Sequence, residues 1–129
     1  METESDPLAE LIVSKDNALN KSSLRDLLKP FVAIVDDGEI LPTEKFSKLA
    51  DGDKICIYLL ARKVMVLKNL LDTEGAKPTE ISKKTGIGLS SAKKVTYIKY
   101  ARKDESGNYY IPNYFIEELN TSFKAKVSQ

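Results

Sequence analysis

Residues 77–103 read KPTEISKKTGIGLSSAKKVTYIKYARK, and how this stretch divides around one glycine governs the reading of the rest of the chain. Pro78 lacks a backbone N–H, which the first turn of a helix does not need, and its fixed φ suits that position. A helix is therefore predicted to begin there and to run to about Thr85. Gly86 can take a positive φ after the last turn, and Ile87 follows it as an apolar plug. A second helix is predicted to restart within Gly88–Ser90, where a small or hydroxyl residue can cap the free amides, and to reach Ala101. Ile81, Gly86, Ile87, Ala92 and Val95 have the spacing that two crossed helices need: two buried isoleucines, a tight turn, and a small Ala92 that lets the second helix come close.

Downstream, residues 102–108 (RKDESGN) are polar and rich in turn formers, and Tyr109-Tyr110-Ile111 has strand propensity. The predicted order is helix, turn, helix, hairpin. On these residues the chain resembles the helix-turn-helix superfamily, and the run Gly86 to Ala92 is close in pattern to the turn and recognition-helix start of phage repressors. Two positions depart from that pattern: Ser82 stands where the family usually has Ala, and Thr85 where it often has Leu or Met. The added hairpin narrows the resemblance to winged helix-turn-helix proteins, over about Lys54 to Asn120. It implies a double-stranded DNA ligand, with the N-terminal residues of the second helix entering the major groove.

On a helical wheel over Gly88–Ala101, Ala92, Val95 and Ile98 fall on the buried side, and Leu89, Ser90, Lys93, Lys94 and Tyr97 point outward. Lys99 also falls on the buried side, so the helix bends or ends early, or the lysine stem reaches out to water. The outward face carries no Arg, Asn or Gln, the side chains that read guanine and adenine in pairs of hydrogen bonds. Two lysines and a hydroxyl suit phosphates, and Leu89 could touch a thymine methyl. Lys77, Lys83, Lys84, Arg102 and Lys103 add candidate phosphate contacts from the flanks and the wing. Backbone-dominated binding with modest base preference is expected.

Charge is sorted along the chain, although the total is only +1. Residues 1–53 hold six Lys/Arg against twelve Asp/Glu, whereas residues 76–103 hold eight Lys/Arg against Glu80 alone. Phosphate neutralisation needs cations gathered on one surface, which this sorting supplies. A solvated lysine-rich surface is the plainer alternative.

Other chemistry finds little footing. There is no His, the one Cys has no partner for an intrachain disulfide, and Gly86-Ile87-Gly88 lacks the preceding strand and third glycine of a phosphate loop. The expectation is a protein that is not an enzyme, with no metal and no cofactor. Cys56, among Ile55, Ile57, Tyr58 and Leu59, reads as a buried small hydrophobe. No apolar run is long enough to span a bilayer and the acidic start METESDPLAELIVSKD has no apolar signal core, so a cytoplasmic location without a membrane partner is expected.

The remaining organisation follows in order. Residues 1–20 form an arm or short helix, with Asp6-Pro7 before Leu8, Leu11 and Ile12, that either docks on the core or orders on meeting a partner. Residues 21–53 form an extension packed on the core. It comprises a helix started by Ser22-Ser23 and ended by Pro30, strands Phe31–Val35 and Glu39–Leu41 around a two-residue Asp37-Gly38 turn, and a Thr43-capped helix over Glu44–Ala50 stopped by Gly52. Asp53 is predicted to cap a long helix, Lys54–Leu71, with two apolar stripes, with Lys54, Arg62 and Lys68 opposite them and Lys63 between. One stripe serves the winged unit of residues 54–123, and the other meets the N-terminal hairpin or a second subunit. A last helix, opened by Pro112-Asn113, places Phe115, Ile116, Leu119 and Phe123 on one face, packed on the long helix or exchanged with a second subunit, before a frayed tail over residues 124–129.

The fold class expected is mainly α with small β-hairpins: a winged helix-turn-helix with an N-terminal helix and hairpin extension. The function expected is that of a small transcriptional regulator or DNA-associated accessory factor. A homodimer through the long helix or the terminal helices is expected with it, and a protein partner could meet the acidic N-terminal half. The alternative is a protein-interaction module that docks partners through that acidic half and the basic helix pair.

Overall fold

Helix α3, Asp51–Leu67, is the element that most of the others touch in the computed structural model, which describes Leu8, Leu11 and residues 20–127. Ten of its side chains, from Ile55 to Met65 with only Val64 left out, are buried. A helix apolar nearly all round belongs inside a fold. Around it stand α1 (Lys21–Leu28), the hairpin β1 (Val32–Ile34) and β2 (Ile40–Pro42), α2 (Glu44–Ser47), α4 (Pro78–Thr85), α5 (Leu89–Ala92), the hairpin β3 (Arg102–Lys103) and β4 (Tyr109–Tyr110), and α6 (Ile116–Val127). The described chain is thus mainly helical with two small antiparallel hairpins. None of these helices is long and apolar enough to cross a membrane.

The limits of α3 differ from the predicted ones for local reasons. It begins at Asp51, so Gly52 and Asp53 lie in its first turn instead of acting as stop and cap; Ala50 holds the cap position without a side-chain bond. Asp51 and Asp53 there favour the positive end of the helix dipole. It ends at Leu67, four residues short of Leu71, because Asn69 takes a left-handed φ of 61°. Asn69 N then donates to Val66 O and Leu70 N to Met65 O, closing the last carbonyls in a Schellman turn.

The first helix is capped by a different residue from the one predicted. Asn20, not Ser22, caps α1, its Oδ1 accepting from Ser23 N at 3.0 Å. Ser23 Oγ donates instead to the Glu117 carboxylate of α6 at 2.8 and 2.9 Å. The first hairpin has a three-residue turn, Asp36 to Gly38, since Val35 N donates to Glu39 O and Gly38 carries φ 95°. Asp37 Oδ1 accepts from Glu39 N and fixes that turn. Thr43 caps α2 as expected, but α2 stops at Ser47.

The last helix, α6, packs chiefly on α1 and meets α3 through the Lys126–Asp53 pair at 2.6 Å. Phe31 and Phe123 meet edge to face at 5.5 Å between centroids, and Ile116, Leu119 and Phe123 are buried. Ser23 meets Glu117 while Phe31, further along, meets Phe123, so the two helices run in the same direction. Residues 124–127 belong to α6, and the rest of the expected tail lies outside the described residues. The predicted helix around Asp6–Ile12 lies outside the described residues, save Leu8 and Leu11, both exposed.

Arg62 requires the largest correction. It was expected opposite the apolar stripes of α3 and is buried; Lys63, expected between the stripes, is buried as well. Arg62 donates to the carbonyls of Thr73, Glu74 and Gly75 at 3.0, 2.9 and 2.8 Å, to the Tyr58 hydroxyl at 3.2 Å, and to the Glu80 carboxylate. Lys63 pairs with Glu74 at 2.7 Å. A guanidinium whose donors are all engaged can be buried, and here it gathers the loop between α3 and α4 onto α3.

Candidate nucleic-acid interface

The two-helix unit is assembled as its residue types dictate. Pro78 opens α4, Glu80 sits in its first turn and Lys83 and Lys84 in its last, each sign at the favourable end of the helix dipole. Gly86 ends α4 at φ 79° and Ile87 is buried after it. The two departures from the family pattern staple this turn. Ser82 Oγ donates to Ile87 O at 2.6 Å; Thr85 Oγ1 donates to Ile81 O at 2.6 Å and accepts from Ile87 N at 3.3 Å.

The second helix is shorter than predicted. α5 covers Leu89–Ala92, a 3-10 turn covers Lys93–Tyr97, and Ile98 is extended, so Lys99 to Ala101 are not helical. Val95, Thr96, Tyr97 and Ile98 are β-branched or aromatic and lose side-chain freedom in a helix, which favours an early end. The position of Lys99 on the wheel is thereby explained: it lies beyond the helix and pairs with Glu118 at 2.8 Å. The hydrogen bonds from Lys99 and then Tyr100 hold the Glu118 carboxyl below its ordinary range, and the Glu118 bond raises both Lys99 and the Tyr100 hydroxyl.

Leu89, Ser90, Lys93 and Lys94 are exposed while Ala92 and Val95 are fully buried, so one side of this helix is set on the core and the other is open. The side chain of Tyr97 lies outside the described residues. Among the described residues, neither Lys93 nor Lys94 pairs with an acid, whereas Lys48, Lys63, Lys99 and Lys126 all do.

The second hairpin is tied to the loop before α4. Ala76 N donates to Tyr109 O at 2.9 Å and Tyr109 N to Ala76 O at 2.8 Å, an antiparallel bridge that adds a third short strand segment. Gly75 permits the approach, and Lys77 Nζ lies 3.3 Å from Ser106 O at the hairpin tip. Lys103 is exposed on β3. Arg102 is exposed but occupied: it donates to Lys99 O and Ala101 O at 2.7 and 2.9 Å, with its guanidinium 4.9 Å from the Phe115 ring centroid.

Lys83 and Lys84 fall elsewhere. They line a groove of about 580 Å³ whose other wall is the β1–β2 turn with Asp37 and Glu39, and whose floor includes Arg62 and Glu80. Their surroundings are of mixed charge. The ten predicted residues are thus divided: two on α5, two on the 3-10 turn that follows it, three between the α4 start and the second hairpin, two on this groove, and Tyr97, whose side chain is outside the described residues.

Reading the sequence missed the Arg62–Glu80 and Lys63–Glu74 pairs. A signal was present: two adjacent cations inside an apolar helix need acids, and Glu74 and Glu80 are acids in the loop and helix that follow. Compared with known proteins, the chain matches no family model, no curated protein and no solved structure.

Proposed function

We propose that this chain binds double-stranded DNA through a winged helix-turn-helix, with α3, α4 and α5 as its helices and β3–β4 as its wing, and serves as a small transcriptional regulator or DNA-associated accessory factor. The observation that carries the reading is the open side of α5 and of the 3-10 turn after it: Ser90, Lys93 and Lys94 are exposed and without acidic partners among the described residues, opposite the fully buried Ala92 and Val95. Cations left unpaired on an exposed helical surface suit phosphate binding with counterion release. The order of helix, bridging strand, two helices and hairpin supports the winged arrangement. The shortness of α5 and the absence of Arg, Asn and Gln from its outer side favour backbone contacts over base reading. Lys77 and Lys103 extend the contact toward the wing, while Lys83 and Lys84 take little part because Asp37, Glu39 and Glu80 stand near them. This function needs no catalysis and no cofactor, and its place is the cytoplasm.

The test is fluorescence anisotropy of a labelled random-sequence duplex across a salt series. Wild-type binding with a log–log salt slope of several units, lost in a folded Lys93→Glu/Lys94→Glu variant, is the expected result. Absence of wild-type binding at low salt overturns it and leaves a protein-docking role for the basic helix pair.

A further inference from the structure

Between α1, β1 and the C-terminal end of α3 runs an open groove of about 500 Å³. Leu24, Leu28, Val64 and Leu67 contribute its apolar lining, and Leu67 is 45 % exposed. Lys21, Arg25, Lys29 and Lys68 border it, and no acidic residue lines it. Arg25 is paired with the neighbouring Asp26; among the described residues Lys21, Lys29 and Lys68 have no acidic partner. The groove is therefore apolar inside and basic at the rim.

The chain carries the complementary segment. Residues 2–12 hold Glu2, Glu4, Asp6 and Glu10 with no Lys or Arg, and Leu8, Leu11 and Ile12 recur at i, i+3 and i+4. Leu8 and Leu11 are 66 % and 78 % exposed. A lone chain thus leaves both an apolar groove with a basic rim and two exposed leucines, Leu8 and Leu11, within an acidic stretch of sequence. We infer that the groove receives residues 2–12 of a second copy, each copy lending its segment to the other about a two-fold axis. Such an exchange buries both surfaces at once and closes without propagating. It also takes up the expected homodimer at the C-terminal end of α3, where Val64 is half-buried and Leu67 exposed beside the buried middle of that helix. The inference does not depend on DNA binding, and its test contains no DNA.

Light scattering on the full chain after size exclusion is expected to give a dimer. Leu8→Glu/Leu11→Glu and, separately, Leu67→Glu are each expected to raise its dissociation constant about ten- to a hundredfold, from the lost burial of leucine. These side chains are exposed, and circular dichroism checks that the variants fold. Mixing a Leu11→Cys chain with a Leu67→Cys chain under mild oxidation is expected to give a disulfide-linked heterodimer. A monomeric wild type with no cross-link overturns the inference. So does a chain bearing both cysteines that closes the disulfide within itself, because the occupant is then its own segment.

Discussion

A Cβ added to Gly75 would lie 2.7 Å from the Asn108 Cβ and 2.9 Å from Asp104 Oδ2. The loop ahead of α4 and the second hairpin therefore touch at a point where only hydrogen fits. Gly75→Ala must push the hairpin away and is expected to cost about 1–3 kcal/mol. Hydrogen exchange reads the effect where it arises: the Ala76 and Tyr109 amides, which bond each other's carbonyls, should lose protection before the α3 amides do. Unchanged protection at both would refute the account.

Arg62 and Glu80 are unequal partners, with side-chain exposures of 4 % and 41 %. Removing Arg62 strands three loop carbonyls, while the Tyr58 hydroxyl keeps its bond to Glu80; Glu80 can be replaced in part by water. Arg62→Ala is expected to lose about 3–5 kcal/mol in urea unfolding, and Glu80→Gln about 1 kcal/mol. Arg62→Lys should lie near the alanine variant, since one ammonium cannot serve carbonyls placed for a planar fork. Equal losses for Arg62→Ala and Glu80→Gln would mean that the ion pair, and not the carbonyl cluster, is what counts.

Cys56 is buried, and desolvation, helped by the nearby Asp53 charge, pushes its thiol up to about 12. Its folded pKa is thus raised above the unfolded value. The contribution is intact at neutral pH and shrinks as pH rises past the unfolded thiol pKa, where the unfolded chain ionises first. Stability should fall by about 1.4 kcal/mol per pH unit more steeply than in Cys56→Ala, from about pH 9 upward. Parallel unfolding curves for the two proteins between pH 8 and pH 10.5 would count against it. A thiol reagent should leave the native protein untouched at neutral pH.

If DNA binding follows the open side of α5, charge reversal sorts the lysines. Lys93→Glu/Lys94→Glu should lower affinity for a random duplex by two orders of magnitude or so at low salt and reduce the salt slope by about 2. Lys83→Glu/Lys84→Glu, on the groove beside Asp37 and Glu39, should cost less than about fivefold. Equal losses in the two variants would make the interaction a matter of net charge, not of a surface.

What could be read in advance was what neighbours in sequence decide. Pro78, Gly86 and Ile87 shape the α4–α5 turn by backbone preference and a local apolar contact, and both hairpins follow from turn formers between strand-forming runs. Long-range pairings were illegible. The fate of Arg62 is set by Glu80 and by carbonyls of the intervening loop, so a wheel drawn on α3 alone puts its charge in water. Lys99 and Arg102 were likewise reassigned by Glu118 and Phe115, residues of the far end of the chain. Leu89 and Ser90 on α5 and Lys93 and Lys94 on the 3-10 turn after it are exposed as expected because Ala92 and Val95 are small and apolar on the inner side. The length of that helix is not as expected, since the run of β-branched and aromatic residues after Lys94 outweighed its apolar periodicity.

The parallel pairing of α1 with α6 joins the first helix of the described fold to the last. Ser23 and Glu117 are 94 positions apart, so their contact closes nearly the whole fold into one loop. α1 is synthesised first yet waits for its partner until the final helix has emerged, and the entropy of that closure is lost only at the end. The pair should therefore form after the rate-limiting step of folding. Trimming Phe123 to Leu, which removes its edge-to-face contact with Phe31, is then expected to quicken unfolding while leaving the folding rate nearly unchanged. The α1–α6 seam is thus the clasp of the molecule: last to shut, and first to set how long it stays shut.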